Sequence, residues 1–125
     1  MRKVLIAEDN AVNRELLREL LEARGYSVEE ACDGRQALQM IGQARPDLLL
    51  LDIGMPVLDG FGVVRELRRN PHFAALPTLA VTAYAMQGDR EKIMSSGFDG
   101  YLSKPLNAQA LAQEIDRVTA SQEKH

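Results

Sequence analysis

Five polar residues in this chain could cooperate in phosphoryl-transfer chemistry, although they lie far apart in the sequence. Glu8 and Asp9 end one short apolar run, Asp52 ends a second, and Thr82 and Lys104 follow two more. Clustered carboxylates repel one another, since two like charges at 4 Å cost about 4 kcal/mol at an effective dielectric of 20. A bound cation would relieve that repulsion, and oxygen ligands without thiolate or imidazole favour Mg²⁺. With an ammonium and a hydroxyl nearby, Asp52 would then suit transfer of a phosphoryl group.

Each of these residues also has a simpler structural interpretation. Glu8 and Asp9 could be acids that are favoured near a helix N-terminus, and Asp52 could be a turn residue before the following proline. Thr82 could be an ordinary β-branched strand residue, and Lys104 a solvated surface charge. The functional interpretation therefore depends on folding, which must bring all five to one place.

The elements that must position these residues form five alternating strand and helix patterns. The run Leu48 to Leu51 has no polar alternation, which is typical of a parallel strand that is covered on both faces. Short apolar runs predict five strands: Val4 to Ala7, Tyr26 to Ala31, Leu48 to Leu51, Thr78 to Val81, and Tyr101 with Leu102.

Helical spacing of apolar residues follows each of these runs. In the first helix, Asn10 is placed to cap the first turn and Gly25 to end the last. A fourth helix is predicted from Asp89 to Ser96, ended by Gly97. The apolar face predicted for the first helix is Val12, Leu16, Leu17, Leu20 and Leu21; the other faces are marked by Ala37, Leu38 and Ile41, by Phe61, Val64 and Leu67, and by Leu111, Ile115 and Val118.

Five strand–helix units with right-handed crossovers predict an α/β fold, a (βα)5 doubly wound five-stranded parallel sheet with helices on both faces. The carboxyl ends of parallel strands share one edge of the sheet, and open sheets of this kind bind ligands in the crevice there. The five polar residues all follow strands, so the fold would bring them into one cleft.

Bulk composition narrows the class of protein. The 125 residues suit one domain, predicted at 1–120, with a short polar end at 121–125. The net charge of −3 gives no bulk electrostatic reason to expect direct nucleic-acid binding. One cysteine, Cys32, excludes an intrachain disulfide, and the two histidines are not spaced as zinc ligands. No apolar run reaches the roughly 20 residues of a membrane span, so we expect a soluble, cytoplasmic protein.

Four blocks of sequence resemble the receiver domains of two-component response regulators. The resemblance covers essentially the whole chain, and the order and spacing of the blocks carry its specificity. The blocks are Val4 to Asn10, Leu51 to Pro56 with Asp59-Gly60, Val81 to Ala85, and Ser103 to Pro105. The resemblance implies a flavodoxin-like, CheY-like sheet with strand order 2-1-3-4-5. It extends to single-domain regulators and to the receivers of hybrid kinases.

The resemblance also implies a chemistry. Asp52 would accept a phosphoryl group from the phosphohistidine of a sensor histidine kinase or a histidine phosphotransfer protein. Mg²⁺ would be bound by Glu8, Asp9 and Asp52, together with the backbone carbonyl of Gly54. The Gly54 position leaves the cleft open, whereas Tyr84, two residues past the threonine, would shade it.

Further roles follow from the same resemblance. Thr82 and Lys104 would contact the phosphoryl oxygens together with the backbone N–H of Ala83, and the Lys104-Pro105 peptide bond would be cis. Tyr101 would be a switch residue that turns inward when Thr82 closes on the phosphate. The fourth helix, fifth strand and final helix would then present a face to a downstream protein, and we expect a monomer or a weak homodimer.

Three alternatives remain open at this stage. An aspartate-nucleophile phosphatase would need a second acid two residues after its nucleophile, where this chain has Gly54. A flavodoxin-like flavin-binding protein would need a Ser/Thr/Gly-rich phosphate loop, where this chain has Glu8-Asp9-Asn10. The third alternative is a receiver-like interaction module that phosphate does not regulate.

Overall fold

Five strands and five helices alternate along residues 2–83 and 87–123, which are the residues that the structure, a computed structural model, describes. Their order confirms the predicted strand–helix repeat. The elements are β1 Lys3–Ala7, α1 Ala11–Glu22, β2 Ser27–Ala31, α2 Gly34–Gln43, β3 Leu48–Asp52, α3 Gly60–Arg69, β4 Thr78–Thr82, α4 Gln87–Ser95, β5 Gly100–Ser103 and α5 Ala108–Glu123.

The strands form one parallel sheet in the order β2-β1-β3-β4-β5, as the resemblance implied. At the carboxyl edge, Ala7 pairs with both Ala31 and Leu51. The chain order reverses between β1 and β3, which opens a crevice beside the carboxyl ends of these strands. The residues that follow β1, β3, β4 and β5 therefore meet at this edge.

Apolar packing on both faces of the sheet explains the uninterrupted leucine run of β3. Leu49 and Leu51 belong to the core layer beneath α2, α3 and α4, whereas Leu48 and Leu50 belong to the layer beneath α1 and α5. All four are fully buried, and each contributes about 1.5–3 kcal/mol of transfer free energy. The prediction of a strand covered on both faces is confirmed.

Side chains and glycines set the helix boundaries largely as the sequence indicated. Asn10 caps α1, and its side chain accepts a hydrogen bond from the Asn13 N–H. After α1 and α4, Gly25 and Gly97 take φ values of +89° and +112°, a region that side chains other than glycine rarely adopt. Both glycines therefore end their helices, as predicted.

Three details of the sequence interpretation are wrong. Val12 and Leu16 lie on the solvent side of α1, 74% and 38% exposed, while Leu17 and Leu21 are buried. The two rows lie about 100° apart around the helix, and the sheet covers only one of them. The last helix continues to Glu123, so the polar end expected from residue 121 begins as helix, while the domain boundary at residue 120 stays a prediction. The fourth helix runs from Gln87 to Ser95, beginning two residues earlier and ending one residue earlier than expected.

No helix in the described part of the chain is long and apolar enough to cross a membrane.

Candidate functional site

Four of the five polar residues singled out from the sequence lie at the carboxyl edge of the sheet, and their geometry can be stated directly. Glu8 follows β1, Asp52 and Thr82 are the last residues of β3 and β4, and Lys104 follows β5. The Lys104 Nζ lies 2.9 Å from Glu8 Oε1 and 3.3 Å from Asp52 Oδ2. Glu8, Asp52 and Thr82 are buried. Folding therefore joins two acids and an ammonium across nearly the whole chain.

The acids form a cluster that could hold a metal ion. Glu8, Asp9 and Asp52 each offer a carboxylate oxygen within 4.8 Å of the others. Asp9 is exposed and the other two are buried, so the cluster opens to solvent on one side. Three hard oxygen donors suit Mg²⁺ or a similar divalent cation.

A second observation indicates that the acidic cluster suits a divalent cation. Glu8 Oε1 is buried and has no hydrogen bond of good geometry within the described residues. Its 2.9 Å approach to Lys104 Nζ is an ion pair only. A buried carboxylate oxygen with an unfilled hydrogen-bonding position is costly, and a cation bound there would satisfy it.

The protonation equilibria of the cluster are unusual. Burial raises the pKa of Glu8 to about 7, and Asp52 acts in the same direction while Lys104 opposes it. Burial also acts to raise the pKa of Asp52, but hydrogen bonds from the Glu8 side chain and the Gly54 N–H, together with Lys104, outweigh it and lower that pKa. Near neutral pH, Asp52 is therefore ionised while Glu8 is divided between its two forms when no cation is bound.

The pKa of Lys104 shows the reciprocal effect. Burial acts to lower the pKa of Lys104, but the neighbouring Glu8 carboxylate, and after it that of Asp52, raise it. The side chain is therefore a permanent cation at physiological pH. One positive charge does not balance three carboxylates, which leaves the site attractive to a further cation.

Local backbone structure fixes the position of Asp52. The Gly54 N–H donates to Asp52 Oδ1 at 3.0 Å, and the Ile53 N–H donates to the Val81 carbonyl in β4 at 3.1 Å. A Cβ on Gly60, the first residue of α3, would lie 3.0 Å from the Asp52 carbonyl oxygen, so the helix start packs closely against this segment. A Cβ on Gly54 would meet only Asp52 Oδ1, at 3.9 Å, and the cleft is open there.

The structure also describes the surroundings of the residues that were predicted to contact the phosphate or to act as a switch. Thr82 lines a cavity of about 90 Å³ together with Phe61 and Ile93, and Ala83 directly after it is exposed. Tyr101 is half-buried, with the Arg90 guanidinium 5.5 Å from its ring centre. The Lys104-Pro105 bond is cis, as expected. Tyr84, expected to shade the cleft, lies outside the described residues.

Sequence reasoning missed Arg14. Its Nη1 donates to the backbone carbonyls of Glu8 and Asp9, at 2.9 Å and 3.1 Å. In the sequence it resembles any charged residue on the outer face of a helix. The available signal was its position, five residues after Asp9, where the first turn of α1 faces the preceding loop.

Comparisons with known proteins agree with this geometry. Residues 4–116 match the family model described as the response regulator receiver domain. The polar-differentiation response regulator DivK of Brucella anthropi is 39% identical over 114 residues, which cover 91% of this chain and 93% of that protein. The hybrid signal transduction histidine kinase I of Dictyostelium discoideum is 41% identical over 122 residues, covering 91% of this chain but only 7% of that much longer protein.

Solved structures show the same fold. A putative response regulator from Chloroflexus aurantiacus superposes with a TM-score of 0.91 at 31% identity, covering 95% of this chain and 98% of that one. The receiver domain of the sensor histidine kinase PA1611 from Pseudomonas aeruginosa has a TM-score of 0.88 at 36% identity, with coverage of 95% and 98%, and its structure has a magnesium ion coordinated in the active site cleft. The fold, the acidic cluster and these relatives lead to one conclusion: this chain belongs to the response regulator receiver domain family.

Proposed function

We propose that Asp52 accepts a phosphoryl group from the phosphohistidine of a sensor kinase or phosphotransfer protein in a Mg²⁺-dependent reaction. The observation that carries the proposal is the contact of Lys104 Nζ with both Glu8 and Asp52, at 2.9 Å and 3.3 Å. This contact supports the proposal because it places one ammonium beside two carboxylates in the same cleft.

In the transfer, an Asp52 carboxylate oxygen attacks phosphorus, the phosphorus–nitrogen bond breaks, and the histidine nitrogen keeps the electron pair. Asp52 is ready for attack because its lowered pKa keeps it ionised near neutral pH. Glu8, Asp9, Asp52 and the Gly54 carbonyl would hold Mg²⁺, which supplies charge neutralisation at the phosphoryl oxygens when bound.

Lys104 and Thr82 complete the proposed site. The Lys104 ammonium neutralises the charge that Asp52 gains, and the Thr82 hydroxyl and the Ala83 N–H donate to the remaining phosphoryl oxygens. Closure of Thr82 on the phosphate would favour the inward position of Tyr101. The small cavity beside Thr82 supports this proposal because it offers room for side-chain rearrangement.

The response would be transmitted through the face of α4, β5 and α5. A surface cavity of about 760 Å³ lies on this face, lined in part by Met94, Tyr101, Ser103, Gln113 and Arg117. Tyr101 lines this cavity, so a change in its position would alter the surface that a partner protein contacts. The partner protein would distinguish the face with Tyr101 turned inward from the face with Tyr101 turned outward.

Two alternatives are less well supported. An aspartate-nucleophile phosphatase would need an acid at Gly54, and a flavin phosphate would be repelled by Glu8 and Asp9. Sustained hydrolysis of small phosphate esters that depended on Asp52 would favour the phosphatase. A bound flavin in the purified protein would favour the second alternative.

The proposal is tested with a small acyl phosphate and Mg²⁺, measured by intact mass and amide NMR spectra. The parent is expected to gain one phosphoryl group and to shift its amide signals near Thr82 and Tyr101. Asp52→Asn should show neither change, whereas Asp47→Asn, the same substitution at an exposed site before β3, should behave like the parent. Lys104→Ala should fold yet lose most of the spectral response. Equal modification of Asp52→Asn, or no modification of the parent, contradicts the proposal and favours an interaction module that phosphate does not regulate.

A further inference from the structure

The turn that carries Glu8 and Asp9 is held by a single arginine side chain of α1. Arg14 Nη1 donates to the carbonyl oxygens of these two consecutive residues, at 2.9 Å and 3.1 Å. Its Nε donates to Glu30 Oε1 in β2 at 3.1 Å. A guanidinium is a rigid planar group, so contacts on both of its sides fix its orientation.

Three other polar backbone groups of this turn have partners of their own. The Glu8 N–H donates to the Ala31 carbonyl at 3.1 Å, and the Asn10 carbonyl accepts from the Arg14 N–H at 3.0 Å. The Asn10 N–H points to Glu8 Oε2 at 3.4 Å. The carbonyls of Glu8 and Asp9 thus rely on the arginine side chain, and through Asn10 the turn is connected to the Glu8 carboxylate itself.

Glu30 holds the guanidinium in place and balances its charge. It also accepts from Arg18 Nε at 2.6 Å, so two arginines share one carboxylate. The hydrogen bond from Arg18, and after it that from Arg14, holds the pKa of Glu30 below its ordinary value although burial acts to raise it. A carboxylate that stays ionised limits the repulsion that Arg14 would exert on a cation bound at the neighbouring acids.

We propose that Arg14 is a positioning residue for the metal-binding acids, because it holds the carbonyls of Glu8 and Asp9 and so fixes the turn from which both carboxylates project. This inference rests on the proposed Mg²⁺ site. Arg14 acts through the backbone of its two partners, and Glu30 acts through Arg14.

The charge of Arg14 and its backbone contacts predict opposite changes in Mg²⁺ affinity when the residue is replaced. Loss of a positive charge close to a cation site would by itself tighten Mg²⁺ binding. Loss of the backbone contacts would weaken it, because removing an outer partner of a metal ligand typically costs about 10–100-fold in affinity. For Arg14→Gln we expect the Mg²⁺ Kd to rise about 10-fold.

Two matched variants separate the two effects. Arg14→Lys keeps the charge but replaces the planar fork with a single ammonium, and it should weaken Mg²⁺ binding nearly as much as Arg14→Gln. Arg18→Gln removes the same charge from the same Glu30 carboxylate, but the hydrogen bonds of Arg18 go to Glu30 and Glu22 and not to the turn that carries Glu8. Its Mg²⁺ Kd should stay within about twofold of the parent, as expected for a substitution outside the site.

The experiment is a Mg²⁺ titration followed by amide chemical shifts, with hydrogen exchange of the metal-free proteins as a second readout. In Arg14→Gln the Asn10 amide should exchange faster than in the parent while the amides of β3 keep their protection. A parent that binds no Mg²⁺ overturns the magnesium site and with it this role. A parent that binds while Arg14→Gln or Arg14→Lys binds equally well or more tightly overturns the role of Arg14 alone.

Discussion

Charged side chains at the two ends of the sheet differ in how fully their hydrogen-bonding groups are satisfied. At the amino ends of β4 and β5, Arg68 donates to the carbonyls of Gly97 and Leu76 at 2.9 Å and to Asp99 Oδ2 at 3.1 Å. The same Asp99 oxygen accepts the Thr78 N–H at 2.8 Å. At the carboxyl ends, Glu8 keeps a buried oxygen without a hydrogen bond and has a raised pKa.

This difference indicates that the contacts at the amino ends stabilise the fold, whereas those at the carboxyl ends suit ligand binding. Around Arg68 one cation is matched by acceptors on two connecting segments, so the loops that enter β4 and β5 are tied to α3. Around Asp52 the acids outnumber the ammonium, and the imbalance is the property that a metal ion and a phosphoryl group can use. Functional sites often keep such unfavourable arrangements, at a cost in stability.

The largest expected change in stability comes from removing the hydrogen bonds that Arg68 makes at the amino ends of β4 and β5. Arg68→Ala should lower the free energy of unfolding by about 3 kcal/mol, because several partly buried backbone carbonyls lose their hydrogen-bond donor. Urea denaturation measures the change. Arg69→Ala is the matched control, since that side chain is 71% exposed and its pair with Glu66 is long, at 3.9 Å, and it should shift stability by less than about 0.5 kcal/mol. Equal effects of the two substitutions would remove the contrast between the ends.

A medium effect on stability is expected when the Glu8 carboxyl is titrated in the absence of a metal ion. The folded pKa of Glu8, about 7, lies above its ordinary 4.5, so its contribution to stability is complete below about pH 4.5 and is lost as the pH rises through 7. Asp52, with a lowered pKa, changes stability only below its ordinary 3.8 and so outside this window. In EDTA, the parent should lose about 2 kcal/mol relative to Glu8→Gln between pH 4.5 and pH 8.

Thermal or urea unfolding across that pH range measures the difference. Saturating Mg²⁺ should reduce it in the parent, because the cation replaces the proton. A parent whose unfolding free energy runs parallel to that of Glu8→Gln would show that the carboxylate is not destabilised by the fold. The comparison between the two ends would then lose its electrostatic basis.

The smallest effect comes from an acid at the carboxyl edge that has only a structural role. Asp33 Oδ1 accepts the Gln36 N–H at 2.8 Å and caps α2. Asp33→Ala should lower the unfolding free energy by about 1 kcal/mol, while Asp33→Asn, which keeps the cap, should cost much less. Neither should alter the Mg²⁺ Kd by more than about twofold. A large loss of Mg²⁺ affinity in Asp33→Ala would extend the functional cluster beyond the three acids.

Much of the fold and the cleft follows from the sequence alone. The unbroken leucine run places β3 at the centre of a covered sheet, and the position of Glu8, Asp52 and Lys104 after their strands brings them together. The strand order came instead from the family resemblance, because apolar periodicity says which segments are strands and not which strands are neighbours.

Other features depend on tertiary structure and leave little trace in the sequence. Val12 and Leu16 fit a helical apolar face, but the width of the face that the sheet covers is decided by packing. Arg14 and Arg68 look like ordinary surface cations, although each binds backbone carbonyls through a half-buried side chain. The raised pKa of Glu8 comes first from burial and then from Asp52, and no spacing in the chain reports either of them.

The contact between Lys104 and Asp52 also has a consequence for biosynthesis. The two residues are 52 positions apart, and the lysine directly follows β5. A nascent chain exposes Asp52 before β5 can pair with β4, and long-range closure of this kind comes late in assembly. We therefore expect chains that are cut before β5 to present the Asp52 carboxylate without the ammonium beside it.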